Sequence, residues 1–472
     1  MSAVLLGVAT PAAQAAPSHG ATHAPLSLTA PTPTGAPSAL SRSTSRLAAA
    51  AAAEAAGKSG FSQTAEINGA SGALYGWSVA TSGDTMVVGA PSDNSNIGAV
   101  YVYTGSGSTW TPEATLTPAD GVSGDFFGGA VAMNGTTIVV GAWGRGNYEG
   151  AAYVYAYSGS GVTFTDSQQA ELTDPGLVSN DLFSASVAIA GNSIAVGAPG
   201  ENSNTGATYV YALHSGTWSL ASTLSDPGAV ANDSFGYSVA FQSSTLAIGA
   251  PGVSGTLPSN TGQAFTGAAY VFKRTGGISG TWTQQAELTA SNGRGCVTTC
   301  SNAYGLIYGD YFGYSVALKG KTVVVGAPFS SLPTPAPDSA GNGSAYAFTE
   351  SANVWSQKDE LYDPAEDTNG LAAGDSFGYA VAFLGKAIVA NAPGDPQGFQ
   401  SNSATGATFV FAGHKGVWAT YPTELTAGDG GPGDYFGYGL ATVSNKYVVV
   451  GAPYSYTPPT YAQDGGVYFF KD

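Results

Sequence analysis

The stretch Asp310-Tyr311-Phe312-Gly313-Tyr314-Ser315-Val316-Ala317, continued by Val323-Val324-Val325-Gly326-Ala327-Pro328, decides the fold. Its two apolar runs flank Lys319-Gly320-Lys321, a Gly-bearing turn tripeptide, so the stretch reads as a β-hairpin. The Phe-Gly…Gly-Ala-Pro pattern recurs seven times between Tyr75 and Pro453. Working outward, each copy is followed by a third strand of the type Gly-Ala-x-Tyr-Val-Tyr, from Gly98–Tyr103 to Gly465–Phe470. A fourth strand, opened by Trp and closed by Leu, follows in most copies: Trp110…Leu116, Trp218…Leu224, Trp282…Leu288, Trp355…Leu361 and Trp418…Leu425. Four strands per unit and seven units predict an all-β fold, a seven-bladed β-propeller of four-stranded blades.

The motif supplies its own packing logic. Phe fills the space between neighbouring sheets, the Gly after it admits a neighbouring backbone, and Pro ends the ladder because it has no N–H. The last copy stops at Lys471-Asp472 after its third strand, whereas Gln63-Thr64-Ala65-Glu66-Ile67 echoes Gln169-Ala170-Glu171-Leu172 upstream of the first copy. The N-terminal strand is therefore expected to complete the last blade and close the ring, removing an exposed edge.

The composition agrees. Of 472 residues 67 are Gly and 26 Tyr, only 10 % are charged and 43 % are apolar, which suits tight turns around an ample core. With 14 basic against 31 acidic residues the net charge is −17, a field that repels nucleic-acid phosphates and anionic lipid. No apolar run is long enough to span a bilayer. Residues 1–16, with Ala3–Ala9 and the small residues Ala13-Gln14-Ala15, read as a signal peptide whose basic start lies upstream of Met1. Residues 17–60, rich in Ala, Pro, Ser and Thr, read as a disordered spacer with a brief helix at Leu47–Ala56, and 61–472 as the propeller. A secreted, monomeric protein is the expectation.

From Phe61 to Asp472 the chain resembles the FG-GAP repeat family, the propeller of integrin α heads and of many exported bacterial proteins. That resemblance implies calcium, held by Asp-x-Asp-x-Asp-Gly between the first and second strands. Here those turns read Thr81-Ser82-Gly83-Asp84, Lys319-Gly320-Lys321 and Leu384-Gly385-Lys386 among others, and two offer Lys where a hard cation needs carboxylates. No cofactor is expected at those turns. Asp93, Asn94 and Asn96, and likewise Glu201, Asn202 and Asn204, place oxygen donors ahead of a Gly between strands two and three. They read either as a weak cation site or as plain turns.

Asp125, Asp181, Asp233, Asp310, Asp375 and Asp434 each stand two residues before the motif Phe, and their repetition points to backbone hydrogen bonding in the turn. His214 and His414 fall on equivalent, separated turns, which builds neither a catalytic triad nor a His-based metal site. Cys296 and Cys300 are read as a small disulfide-closed loop. The long connections, 251–266, 289–309, 328–342, 393–405 and 453–464, all emerge on one face. Insertions concentrated there mark a binding surface, with Phe265, Tyr304, Tyr308, Phe329, Phe399, Tyr454, Tyr456 and Tyr461 as contact aromatics. The expected function is non-enzymatic binding of an extracellular protein or glycan. A polysaccharide hydrolase or lyase with carboxylates at the channel mouth is the alternative.

Overall fold

The computed structural model describes residues 60–472 apart from 107–108, 157–167, 174–175, 177, 257–262, 292–308, 331–341, 364–374, 395–404, 415, 420–421, 432 and 458–461. The signal-peptide, spacer and Leu47–Ala56 expectations lie outside the described residues. Ser59–Asp472 forms one compact unit.

Its architecture is seven four-stranded antiparallel sheets. The opening stretch forms blade five: Ser315–Lys319, Thr322–Ala327, Ser344–Ser351 and Val354–Leu361, in that spatial order. The first strands of successive blades are neighbours in circular order, so they form the wall of an axial channel. Chain direction then defines two faces. The one- to-two and three-to-four hairpins lie on the turn face, and the two-to-three and four-to-one connections on the loop face.

Closure occurs in blade seven. Ser62–Asn68 pairs with Gly466–Lys471, giving the order Leu440–Val443, Tyr447–Ala452, Gly466–Lys471, Ser62–Asn68. The N-terminal strand even carries the irregularity of the other fourth strands. In blades one to five one residue bulges out of the fourth strand (Glu113, Gln169, Ala221, Gln285, Lys358), and in blade seven Thr64 does so. Such a bulge adds local twist at the outer rim.

Seven hydrophobic clusters hold the ring, one at each blade interface. Phe127, fully buried, sits between blades one and two with its ring 5.5 Å from Tyr153 and 6.0 Å from Tyr155. Burying a Phe contributes about 2–3 kcal/mol, and Phe183, Phe235, Phe312, Phe377 and Phe436 repeat the arrangement. The backbone also crosses between blades. Gly98 lies just outside the third strand that the sequence pattern assigned it to, and bridges Phe127 of the next blade. A Cβ on Gly98 would stand 2.0 Å from the Phe127 carbonyl oxygen, so no other residue fits.

Blade six departs from expectation. Its fourth strand is not continuous from Trp418 to Leu425: Val417–Trp418 pairs locally with Gly413–His414, and Thr423–Leu425 alone joins the sheet. Pro422 has no N–H for the ladder, and the Trp418 indole turns inward to donate to the Lys386 carbonyl at 3.2 Å.

Candidate binding face

The loop face is built from the pentapeptide that enters each first strand. Its Asp is buried and accepts a backbone N–H three residues upstream: Val122 to Asp125 at 2.9 Å, Val178 to Asp181 at 2.8 Å, Val230 to Asp233 at 2.7 Å and Gly431 to Asp434 at 2.6 Å. The carboxylates are thus turn acceptors, as their repetition suggested. Burial raises the Asp233 and Asp434 carboxyls above their ordinary value.

The next residue is left-handed in all seven copies, including the first, where Ala73 stands in place of the Asp: Leu74, Phe126, Leu182, Ser234, Tyr311, Ser376 and Tyr435 have φ between 52° and 59°. Non-Gly residues avoid that region at a cost of order 1 kcal/mol or more. Carbonyls of the preceding blade hold it in place: Leu182 donates to Tyr148 at 2.9 Å and Ser234 to Asn204 at 2.8 Å. The left-handed kink separates three neighbouring side chains: the first goes to the loop face, Phe to the blade interface, and the residue after Gly to the axis.

At the axis this yields Tyr237, Tyr314, Tyr379, Tyr438 and Trp77, each half-buried. Successive rings lie 4.9, 5.0, 4.8 and 4.7 Å apart, tilted 45–48° to one another, a favourable offset for aromatic pairs. The Tyr314 phenol is hydrogen-bonded to Tyr237 and Tyr379, and Tyr379 to Tyr438. Burial holds Tyr237 and Tyr379 well above the ordinary phenol value and pushes Tyr314 up to about 12. Blades two and three contribute Gly129 and Ala185 instead. Over Gly129 lies Trp143, which replaces the motif Pro: a Cβ on Gly129 would meet its indole nitrogen at 2.3 Å. Trp143 is stacked on Phe126 at 4.6 Å and 10°, and on Tyr148 at 5.8 Å and 24°.

Three contact aromatics expected from sequence join this network. Tyr311 meets Phe265 at 5.8 Å and Phe329 at 5.4 Å, and Phe329 reaches axial Tyr314 at 6.2 Å. Tyr454 meets Tyr435 at 5.5 Å and axial Tyr438 at 6.1 Å. Tyr456 is 42 % exposed in a two-residue ribbon. Tyr304, Tyr308, Phe399, Tyr461, Cys296 and Cys300 lie outside the described residues.

Sequence reading missed a further set. Val122, Val178 and Val230, each donating to its blade's Asp, are 60, 60 and 57 % exposed on the half of the face with short loops. Their common offset before Asp was the available signal.

The two oxygen-rich loops are left-handed turns, with Asn94, Ser95 and Asn96 at φ 49°, 63° and 67°, and Asn202, Ser203 and Asn204 at 51°, 64° and 62°. Their acids are engaged by tyrosines. Asp93 accepts from Tyr101 and from the Asn94 N–H. Glu201 accepts from Tyr209 at 2.5 Å and from the Asn202 amide at 3.0 Å. Asn204 donates to Asn232 at 3.3 Å. Blade two puts Arg145 at the same place, 5.7 Å over the Tyr153 ring and paired with Asp120 at 2.6 Å and Glu171 at 3.1 Å. Among the described residues no three His, Cys, Asp or Glu side chains are grouped to hold a metal. The first position of the loop thus serves the Tyr eight residues on.

A closed seven-bladed propeller with one aromatic, loop-bearing face defines the class of this protein. A family model described as "FG-GAP repeat" matches residues 64–103, 110–155, 167–211, 218–272, 307–348 and 422–470, more than half of the chain. The chain belongs to the FG-GAP repeat family. No curated protein matches it. The matched units are offset from the blades: 110–155 runs from the fourth strand of blade one to the third of blade two. Among the described residues no helix is long and apolar enough to cross a membrane.

Proposed function

We propose that the protein is an exported, monomeric recognition module that binds an extracellular protein or glycan through its loop face, without catalysing a reaction. The observation that carries this reading is the aromatic floor running from Phe265 through the axial tyrosines to Tyr454, with the exposed valines on the other half of the same face. Tyr and Trp are enriched where binding energy concentrates, because they bury large area with few rotors. The buried Asp carboxylates at the channel mouth serve the backbone, which supports binding over a two-carboxylate hydrolase or lyase.

The test is a glycan and extracellular-protein array probed with the wild type and with V122D/V178D/V230D and F329A/Y454A. Retention of a defined ligand that falls at least about tenfold in either variant, both still folded, supports the reading. Depolymerisation of a polysaccharide by protein that retains nothing on the array overturns it.

A further inference from the structure

The turn face carries a group of lysines. Three hairpins of blades five, six and seven meet at one side chain, Asn445. Its Oδ1 accepts the Lys319 ammonium at 3.3 Å and the Gly385 N–H at 3.0 Å. Lys386 follows Gly385 and Lys446 follows Asn445, so each of the three hairpins joined through this amide carries a lysine. Lys386 and Lys446 are exposed and Lys319 is half-buried. None of the three forms an ion pair with a described carboxylate.

This clustering runs against the composition. The chain has 14 basic residues in 472, and a role in solubility gives no reason to put three lysines on joined hairpins. The matching hairpins of blades one to three, Ser82-Gly83-Asp84, Asn134-Gly135-Thr136 and Ala190-Gly191-Asn192, contain no cation. Lys273, Lys321 and Lys471 stand at or near the same end of blades four, five and seven. The described acids around the group are Glu350, paired with Lys321 at 3.3 Å, and Asp472, whose N–H donates to the Lys446 carbonyl at 3.3 Å, with Asp84 on the adjoining hairpin of blade one. The acidic loop face does not cancel it. A five-residue first strand spans roughly 17 Å at about 3.3 Å per residue. That is about two Debye lengths at physiological salt, so the distant carboxylates are screened.

We propose that the Lys319–Lys386–Lys446 cluster binds a polyanion, a polymer bearing phosphate, sulfate or carboxylate groups. Three ammonium groups on one rigid support match a repeating anion better than a single ion, and counterion release from the polymer favours binding. A membrane is disfavoured because the hairpins are polar. Val354 and Val417 are the exposed apolar residues next to them, two side chains against a polar surround.

Titration of the whole protein with polyphosphate, dextran sulfate and polygalacturonate, against neutral dextran, tests this. Three neutralised charges predict a log–log salt slope of about −2, so raising salt from about 50 to about 300 mM weakens binding roughly 40-fold. K386E/K446E is expected to abolish binding, while K358E, a charge reversal on the outer strand of the same region, changes it less than about twofold. The polymer that binds tightest identifies the anion. Binding to none of the polymers, binding only to phosphatidylglycerol vesicles, or equal binding by K386E/K446E and K358E each overturns the proposal.

Discussion

The Asn391 amide donates to the Gly437 carbonyl at 2.8 Å across the interface of blades six and seven. Four other interfaces satisfy the same carbonyl with a Ser hydroxyl that begins the first strand: Ser78 to Gly128, Ser186 to Gly236, Ser238 to Gly313 and Ser315 to Gly378, all at 2.7–2.8 Å. Blade six has Ala380 in place of that Ser and Asn391 in place of the motif Gly. One substitution supplies the donor that the other removed.

Asn391→Gly alone therefore strands a buried carbonyl and is expected to cost about 1–3 kcal/mol. Asn391 also accepts from the buried Thr408 hydroxyl at 2.8 Å, yet adding Ala380→Ser should recover most of that loss, because the pair recreates the arrangement of blade three, where Ser186 reaches Gly236 and Gly197 faces Thr208. A urea double-mutant cycle measures the coupling. Additive effects would show that the two positions do not compensate.

Gly249→Ala tests the close approach between blades. The new Cβ would stand 1.9 Å from the Gly313 carbonyl oxygen, so blades four and five must separate. A loss of about 3 kcal/mol in the urea midpoint, or no folded protein, is expected; an unchanged midpoint contradicts the packing.

Asp434 separates hydrogen bonding from charge. Asp434→Asn keeps an acceptor for the Gly431 N–H, whereas Asp434→Ala removes it and is expected to cost about 1–2 kcal/mol. Burial raises the folded-state carboxyl above its ordinary 3.8. Its ionisation therefore lowers stability as pH rises from that value through the raised one. Near pH 7 Asp434→Asn should match or exceed the wild type, and the difference should fade below the ordinary carboxyl range. Urea midpoints across that window provide the measurement.

The axial phenols make a prediction at the alkaline end. Their folded-state values lie above 10.0, so stability is lost as pH rises beyond the unfolded value. Absorbance of phenolate should lag in the folded protein and rise together with loss of ellipticity. Tyr379→Phe should diminish that late step. Smooth phenolate formation ahead of unfolding would contradict the buried ring.

Deleting residues 62–68 opens blade seven and exposes the edge of Gly466–Lys471. A sharp fall in melting temperature and salt-sensitive aggregation are expected. Calorimetry decides, and an unchanged melt would falsify closure by this strand.

Much of this fold was legible because its signal is repeated. Phe-Gly, Gly-Ala-Pro and the Gln-Ala-Glu echo upstream of the first copy each predict a packing or pairing event that recurs at a fixed offset. The loop face was less legible, because side-chain direction there depends on a left-handed residue that is Phe, Tyr, Leu or Ser. Nothing in those residue types announces φ near 55°. Tyr237, Tyr314, Tyr379 and Tyr438 stood at one offset in the motif, yet their meeting at the axis follows only from ring geometry. Trp143 reads in sequence as a lapse of the motif Pro; in space it covers the position that Gly129 leaves bare. The break in the fourth strand of blade six was signalled by Pro422 and outweighed by the Trp…Leu pattern.

The offset between matched unit and blade bears on how such a ring can change its size. A unit such as 110–155 supplies the outer strand of one blade and three strands of the next. Copying or losing one unit in the gene therefore leaves no blade incomplete, and the seam between Ser62–Asn68 and Gly466–Lys471 is inherited unaltered. Blade number can drift by whole units while the joint that closes the circle keeps its sequence.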